Sequence, residues 1–247
     1  PAEYWLSSEI ITEAFVTLAR RYRFDGILIN LPGRSPDVSE HVDHIERTGD
    51  AEIIHYDNGQ RCVCPYDDLA QHVEAPKMGI DEIDPDLLFY EDPHTPGGLK
   101  EPPFYYGIEP YEWEGEELFP PWLFSIIEAT LETVGDELSI HSEVFSPFTQ
   151  LMERLGYEGG LMALMDSPDK CHAMLQAYAE GTSALAKEQA ARGVDAVLIS
   201  SAFAGGGFIS RKMYEEFVHP YEEQVADAVH ETNAKVYTHT CGAIGDR

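Results

Sequence analysis

A histidine and a cysteine near the end of the sequence are the residues whose types and spacing most directly suggest chemistry. His239 and Cys241 are two residues apart, after a β-type run from Lys235 to Thr238. Side chains at positions i and i+2 of a strand point to the same side, so a nitrogen and a sulfur can be aimed at one point. Both atoms are common zinc ligands. The pair therefore suggests part of a zinc site, and the alternative is a buried histidine with an inert buried cysteine.

Two titratable side chains on another predicted strand are candidates for catalysis. The strand runs from Glu137 to Val144, and His141 and Glu143 share one of its faces near its end. A carboxylate close to a loop can act as an acid, a base or a substrate anchor. We name both residues as catalytic candidates, and the alternative is a salt-bridged position in the core.

Two loops that follow predicted strands provide candidates for substrate binding. The apolar runs 27–29 and 196–199 are typical of strands buried on both faces. In parallel α/β folds the loops that follow such strands carry the chemistry. The glycine run 205–207 in the second loop matches neither a P-loop nor a dinucleotide fingerprint, so no nucleotide site is predicted. The substrate-binding candidates are Asn30, Arg34, Ser201 and Phe203.

The elements that must position these residues alternate between helix and strand. Apolar residues recur at intervals of three and four from Ser8 to Tyr22, which predicts a helix with Ser8 as its cap. Alternating helices and buried strands predict a parallel sheet with right-handed crossovers. The further helices are predicted at 121–134, from Ser146-Pro147 onward, at 167–191, and at 210–232 with a bend at Pro220; the strands are predicted at 27–29, 137–144, 195–200 and 235–238.

Four barrel-type strands are half of what a closed eight-stranded barrel needs. Either the fold is open or the sequence is part of a longer chain. The start at Pro1 and the end at Arg247, just after a candidate site, favour a partial chain. We find no signal peptide and no apolar run long enough to span a membrane.

A β-hairpin is predicted between residues 52 and 64. Asn58-Gly59 is a strong type I′ turn signal. Cys62 and Cys64 would share one face of its second strand, and without a second ligand pair nearby we favour packing over metal binding. Four irregularly spaced cysteines in a chain of this length indicate a reducing cytoplasm.

Residues 74–120 form an irregular acidic arm. They contain eight prolines, which disfavour regular elements, and eight aromatic residues, which disfavour a disordered linker. We expect an ordered arm that covers a pocket or makes a subunit contact, which would produce a homo-oligomer. The alternative is a surface insert without a role in the site.

The net charge of −29 limits the range of partners. Nucleic acids and anionic membranes both require a cationic surface, so neither is expected to bind.

At residues 195–242 the sequence resembles the uroporphyrinogen decarboxylase superfamily. The resemblance lies in Gly193–Ile199, the small-residue loop that follows, Ile209-Ser210, Tyr214–Tyr221 and His239–Gly242, with weaker matches at Arg21–Gly26 and Ser146–Thr149. It implies an α/β fold of the TIM (β/α)8 barrel type, with the site at the C-terminal face of the barrel. We therefore expect a single, partial barrel domain over residues 1–247.

The superfamily contains at least two chemistries. Its decarboxylases carry an acidic residue where this sequence has Pro32, and an Asp-Ser pair where it has Ser200-Ser201. Its zinc-dependent methyltransferases hold the metal with H-x-C and a later cysteine; His239 and Cys241 match the first two ligands, and the third would lie beyond Arg247. The resemblance thus implies Zn²⁺, a small substrate (a thiol or methoxylated compound) and a corrinoid on a partner protein. The alternatives are uroporphyrinogen decarboxylation and a non-enzymatic barrel kept for binding.

Overall fold

The computed structural model describes residues 1–57, 59, 61–68, 71–72, 78–91 and 118–247. The chain divides into two compact units: the first is formed by 1–75 with 95–140, and the second by 76–94 with 141–247. The organisation as one barrel domain stays a prediction.

The first unit combines helices with an antiparallel sheet. Strands β2, β3, β4 and β5 pair in sequence order. The N–H of Ser139, where strand β6 begins, donates to the Asp25 carbonyl 3.0 Å away, just before β1. The elements are α1 (Ala2–Leu6), α2 (Ser8–Tyr22), β1 (Gly26–Ile29), β2 (Val42–Arg47), β3 (Ala51–Tyr56), β4 (Arg61–Pro65), β5 (Gln71–His72) and α3 (Ser125–Val134).

The second unit contains parallel strands covered by helices. Strand β6 pairs with β7, and β7 with β8, all in parallel, so an α/β fold with a parallel sheet is confirmed. The elements are β6 (Ser139–Phe145), α4 (Pro147–Leu155), α5 (Tyr157–Asp166), α6 (Pro168–Ala191), β7 (Ala196–Ser200), α7 (Arg211–Phe217), α8 (His219–His230) and β8 (Lys235–His239).

Burial of apolar side chains explains the core of the second unit. Every residue of β7 is buried, as its apolar run predicts. Helix α6 buries one stripe against α4, α5 and α8. The core includes Phe148, Leu151, Met174, Leu175, Tyr178, Val218 and Tyr221.

Two sequence-based predictions about helix ends were wrong. The side chain that caps α2 is that of Ser7, which accepts from the Ile10 N–H; the Ser8 hydroxyl instead accepts from the backbone N–H of Arg34. The single bent helix at 210–232 is two helices, α7 and α8. Pro220 lies in the first turn of α8, because proline has no N–H to donate and therefore begins a helix more easily than it continues one.

The predicted hairpin and the Cys pair agree with the structure. Strands β3 and β4 are antiparallel, and both cysteines of β4 are buried among apolar side chains. Gly59 has a φ of +84°, which is the left-handed region, while Asn58 lies outside the described residues. The exposed strand β2 was missed because it lacks an apolar alternation.

Part of the predicted arm, residues 78–91, can be described. It contains two short 3-10 turns, Ile80–Glu82 and Pro85–Leu87. Its side chains Ile83 and Leu88 join the core of the second unit. Residues 92–117 of the arm lie outside the described residues, so its proposed role is not tested.

The arm backbone passes close to α6 at Gly181. A Cβ built on Gly181 would lie 1.8 Å from the Phe89 carbonyl oxygen, whereas one on Gly159 of α5 would meet nothing nearer than 3.9 Å. We expect Gly181→Ala to lower the free energy of unfolding by about 2 kcal/mol or more, because backbone has to move. Gly159→Ala should be neutral or stabilise by up to about 1 kcal/mol. Urea denaturation measures both, and equal stability of the two variants would contradict this packing.

Candidate functional site

The C-terminal ends of the three parallel strands lie side by side in the second unit. Their register places Phe145, Ser200 and His239 next to one another. The chain leaves β6 at Ser146 and β7 at Ser201, so the segments after these strands begin at one edge of the sheet. This edge contains four of the predicted site residues: Ser201, Phe203, His239 and Cys241.

His239 and Cys241 point toward each other at the end of β8. The Cys241 Sγ is 3.6 Å from the His239 Nε2, and both residues are exposed. Zinc bonds of ~2.3 Å to sulfur and ~2.05 Å to nitrogen, at a tetrahedral angle, separate the two atoms by about 3.6 Å. The pair therefore has the spacing and the donor atoms that two ligands of one zinc ion require.

The turn after β7 holds the backbone on both sides of this pair. The Ser201 N–H donates to the His239 carbonyl at 2.8 Å, and the Gly206 N–H donates to the Ala243 carbonyl at 2.7 Å. Between them, a Cβ on Gly205 would lie 2.1 Å from the Cys241 carbonyl oxygen. Glycine is needed here for close backbone approach, a role that the sequence analysis did not assign to the glycine run.

His141 and Glu143 lie on the face of the sheet that also carries Tyr237. Their register partners on β8 are Lys235 and Tyr237. The Tyr237 hydroxyl is 2.9 Å from His141 Nδ1. Burial, followed by the charge of Glu143, raises the pKa of Tyr237. The sequence analysis missed Tyr237, although its position two residues before His239 on a predicted strand is a usable signal.

Glu143 is not close to the metal-ligand pair. It lies two strands away from His239 and two residues further back along the sheet. With ~4.8 Å between strands and ~3.3 Å per residue, the two Cα atoms are about 12 Å apart. His141 and Glu143 therefore lie away from the His239–Cys241 pair, and their catalytic role stays a prediction.

A buried carboxylic acid lies behind the strand ends. Glu222 of α8 is 8% exposed, and the Ser201 hydroxyl donates a hydrogen bond to its Oε1. Burial raises the pKa of Glu222 to about 7, while hydrogen bonds with Ser201 and Ser146 act in the opposite direction. The sequence analysis missed this residue, because one glutamate in a predicted acidic helix carries no distinguishing signal.

Phe203 belongs to a cluster of three aromatic rings. Its ring centroid is 6.1 Å from that of Tyr157 and 5.8 Å from that of Phe208. The ring centroids of Tyr157 and Phe208 are 5.7 Å apart. Tyr157 and Phe208 are exposed. The cluster provides an apolar surface next to the turn that contacts Cys241.

Asn30 and Arg34 lie in the first unit. Asn30 is exposed directly after β1. Arg34 is buried, and its guanidinium donates to the carbonyls of Trp5 (2.7 Å) and Pro32 (2.5 Å). These bonds engage Arg34 in holding the loop after β1, and substrate binding by either residue stays a prediction.

Two kinds of feature are absent from the described residues. No group of three or more His, Cys, Asp or Glu side chains is arranged to hold a metal ion. No helix there is both long and apolar enough to cross a membrane.

The comparison with protein families identifies the family of this chain. The sequence model of the family described as Uroporphyrinogen decarboxylase (URO-D) matches residues 108–246, which is more than half of the chain. The chain belongs to the uroporphyrinogen decarboxylase family. The resemblance stated from the sequence is thereby confirmed.

Two curated relatives carry the name methylcobamide:CoM methyltransferase MtbA. The proteins from Methanosarcina mazei and Methanosarcina acetivorans are each 25% identical to this chain over 120 residues. The match covers 49% of this chain and 35% of each relative. The chain is therefore similar to about a third of the length of these family members.

A solved structure has the same fold as this chain. It is described as a methyltransferase from Methanosarcina mazei, with a TM-score of 0.59 and 13% sequence identity. The match covers 97% of this chain and 58% of that one. At this identity the likeness shows the fold alone.

The exposure of the cysteines predicts how the thiols react. Cys241 is exposed, whereas Cys62, Cys64 and Cys171 are buried, and burial raises the pKa of Cys171 to about 11. A thiolate must form and be reached for reaction. We expect one thiol to react rapidly with a disulfide reagent in the folded protein and four in denaturant. Cys241→Ser should remove the rapid reaction and Cys171→Ala should not; two rapid thiols would contradict this assignment.

The environment of Glu222 predicts a pH-dependent stability. Its folded-state pKa of about 7 exceeds the ordinary value of 4.5, so the folded protein binds this proton more tightly than the unfolded chain. Stability should therefore fall as pH rises from 5 to 7, by about 2 kcal/mol from this group. Urea denaturation at both pH values should show a smaller fall in Glu222→Gln than in wild type. Glu223→Gln, at the exposed neighbouring residue, is the control. If both variants showed the same change in the free energy of unfolding between pH 5 and pH 7, the assignment to Glu222 would fail.

Proposed function

We propose that this protein acts in zinc-dependent methyl transfer between a small substrate, a thiol or methoxylated compound, and a corrinoid carried by a partner protein. The observation that carries the proposal is the 3.6 Å separation of the His239 nitrogen and the Cys241 sulfur at the end of β8. Family membership and the two relatives named as methylcobamide:CoM methyltransferases support it.

The proposal includes the architecture of the site. We propose that β6, β7 and β8 are strands of a TIM barrel whose catalytic face includes their C-terminal ends. The solved methyltransferase with the same fold supports this assignment. In such barrels, catalytic residues come from the ends of several strands.

Two side chains of this chain would hold the metal. His239 would contribute its Nε2 and Cys241 its Sγ. The two atoms are 3.6 Å apart, and the turn after β7 holds the backbone of both residues through the Ser201–His239 hydrogen bond and the close approach of Gly205 to Cys241. Bound zinc stabilises a thiolate nucleophile or polarises a substrate oxygen. Two protein ligands supply half of a tetrahedral set, so a further ligand and the substrate have to supply the other half.

The remaining predicted residues would shape the space around the pair. Phe203, with Tyr157 and Phe208, would exclude water and contact the apolar part of a methyl donor. On the face of the sheet, His141 and Glu143 would hold the distal part of the substrate or exchange a proton with it, and Tyr237 would orient the His141 ring through its 2.9 Å hydrogen bond. In the first unit, Asn30 remains a candidate for substrate contact.

The chain's charge is consistent with a neutral or weakly charged substrate. A net charge of −29 repels a polyanion at long range unless a local cationic cluster opposes it. The same charge disfavours nucleic acid and anionic membranes as partners. Four cysteines without a disulfide support a cytoplasmic location.

Decarboxylation of a tetrapyrrole polycarboxylate is the second candidate. It is favoured by the description of the family whose sequence model matches the chain. It differs from the first candidate in a testable way, because it requires no metal. Exposure of the His239–Cys241 pair at the strand ends favours methyl transfer over it.

Zinc analysis separates the two candidates. We expect the purified protein to retain about one zinc ion per chain after dialysis, and His239→Ala or Cys241→Ser to weaken zinc binding at least about tenfold, because each removes one ligand. Cys171→Ala, which changes a buried cysteine of α6, is the matched control and should bind zinc like wild type. Competition with a chromophoric chelator measures the affinities. Zinc binding that is unchanged in Cys241→Ser, or turnover of a porphyrinogen carboxylate that resists chelator, would refute methyl transfer by this site.

A further inference from the structure

The buried carboxyl group of Glu222 has no part in the proposed chemistry. It lies on α8, behind the strand ends, whereas most of the other acidic residues that the structure describes are exposed. Burying an ionisable group is unfavourable unless hydrogen bonds compensate for its lost hydration. The hydrogen-bonding partners of Glu222 are Ser201 and Ser146.

The first of these bonds leads to the turn after β7. The Ser201 hydroxyl donates to Glu222 Oε1, and both residues are buried. Ser201 is the first residue of the turn, and its carbonyl accepts from the Ala204 N–H at 3.2 Å. Glu222 therefore fixes the residue at which the turn begins.

The backbone of Ser201 carries the link to the candidate metal ligands. Its N–H donates to the His239 carbonyl at 2.8 Å. Ser201 thus connects two groups: its side chain bonds to the buried carboxyl group of Glu222, and its main chain bonds to His239, the last residue of β8. Beyond that point the same turn is packed against Cys241, through Gly205.

The preceding strand is tied into the same group of hydrogen bonds. The Ser146 N–H donates to the Ser200 carbonyl at 3.0 Å, and the Thr149 hydroxyl donates to that carbonyl at 3.0 Å. These bonds hold the ends of β6 and β7 together. The Thr238 hydroxyl joins β8 to β7 by donating to the Ile199 carbonyl at 3.2 Å, and the Glu222–Ser201 bond adds a side-chain contact between α8 and the turn whose first N–H bonds to β8.

We propose that Glu222 is a positioning residue for the His239–Cys241 pair and acts through Ser201. The inference rests on the proposed function, because it assigns Glu222 a role in orienting ligands of a metal. Groups that orient a metal ligand through hydrogen bonds commonly change metal affinity when they are removed. Here the orientation is transmitted through the main chain of the ligand and not through its imidazole ring.

Three variants separate positioning from a general effect on stability. Glu222→Leu removes the carboxyl acceptor and puts an apolar side chain of similar size in its place. Glu222→Gln keeps an oxygen that can accept from the Ser201 hydroxyl. Thr182→Val is the matched control, because the Thr182 hydroxyl is equally buried and accepts from Gln150 Nε2 at 2.8 Å, a bond that does not involve Ser201 or β8.

Two measurements apply to each variant. Hydrogen exchange of the Ser201 amide in metal-free protein reports whether the bond to the His239 carbonyl is kept. Titration with Co²⁺ reports the affinity of the pair, and the visible absorption of the bound ion reports its coordination geometry. Urea denaturation identifies any variant that does not fold.

In Glu222→Leu we expect the hydrogen-exchange rate of the Ser201 amide to rise about tenfold, because the turn loses its buried acceptor. We also expect this variant to bind Co²⁺ about tenfold more weakly and with an altered absorption spectrum. Glu222→Gln should stay within about threefold of wild type in both measurements, because its amide oxygen replaces the carboxylate oxygen as acceptor. Thr182→Val should lose stability but keep the exchange rate of Ser201 and the Co²⁺ spectrum.

The outcomes distinguish this inference from the proposed function. A folded Glu222→Leu with wild-type exchange and wild-type Co²⁺ binding overturns the positioning role and leaves the proposed function intact. Equal losses in Glu222→Leu and Thr182→Val also overturn it, because they indicate a general loss of stability. Absence of Co²⁺ binding by the wild-type protein refutes the proposed function and, with it, the role assigned to Glu222.

Discussion

Parallel pairing of β6, β7 and β8 is the constraint on which the candidate site depends. The register places Phe145, Ser200 and His239 at one level, so the chain leaves β6 and β7 toward the same edge at which β8 ends. Side chains alternate between the two faces of a strand, and a slip of one residue would turn the His239 ring to the other face. The backbone hydrogen bonds of the sheet, together with the bond from Ser201 to His239, prevent that slip.

Local patterns in the sequence predicted much of this frame. Every residue of β7 is buried, and the apolar run at 196–199 is sufficient to predict that. Ser146-Pro147 begins α4 as predicted, because the serine hydroxyl accepts from the Thr149 N–H and proline needs no partner at that position. The proximity of His239 and Cys241 was also predicted from their spacing of two residues, although β8 ends at His239 and Cys241 lies in the bend that follows it.

What could not be predicted depends on contacts between residues distant in sequence. Glu222 and Ser201 are 21 residues apart, and His141 and Tyr237 are 96 apart. No local periodicity identifies such pairs, because they are formed when α8 packs on the sheet and when β8 joins β7. The choice of Ser7 over Ser8 as the cap of α2 has the same origin: the Ser8 hydroxyl is used by the Arg34 N–H, 26 residues away.

The charged side chains that are buried have structural partners. Among the described residues, Arg34 and Glu222 are the buried ones of charged type. Arg34 donates to carbonyls at the end of α1 and in the loop after β1, and Glu222 accepts from the first residue of the turn after β7. Each group lies beside a loop that follows a strand, β1 for Arg34 and β7 for Glu222, where backbone groups no longer have partners within the sheet. Hydrogen bonding from a buried ionisable group is strong because little water competes with it. Two loops that carry candidate residues are therefore hydrogen-bonded to side chains of charged type inside the protein, while most acidic residues in the described part of the chain are exposed.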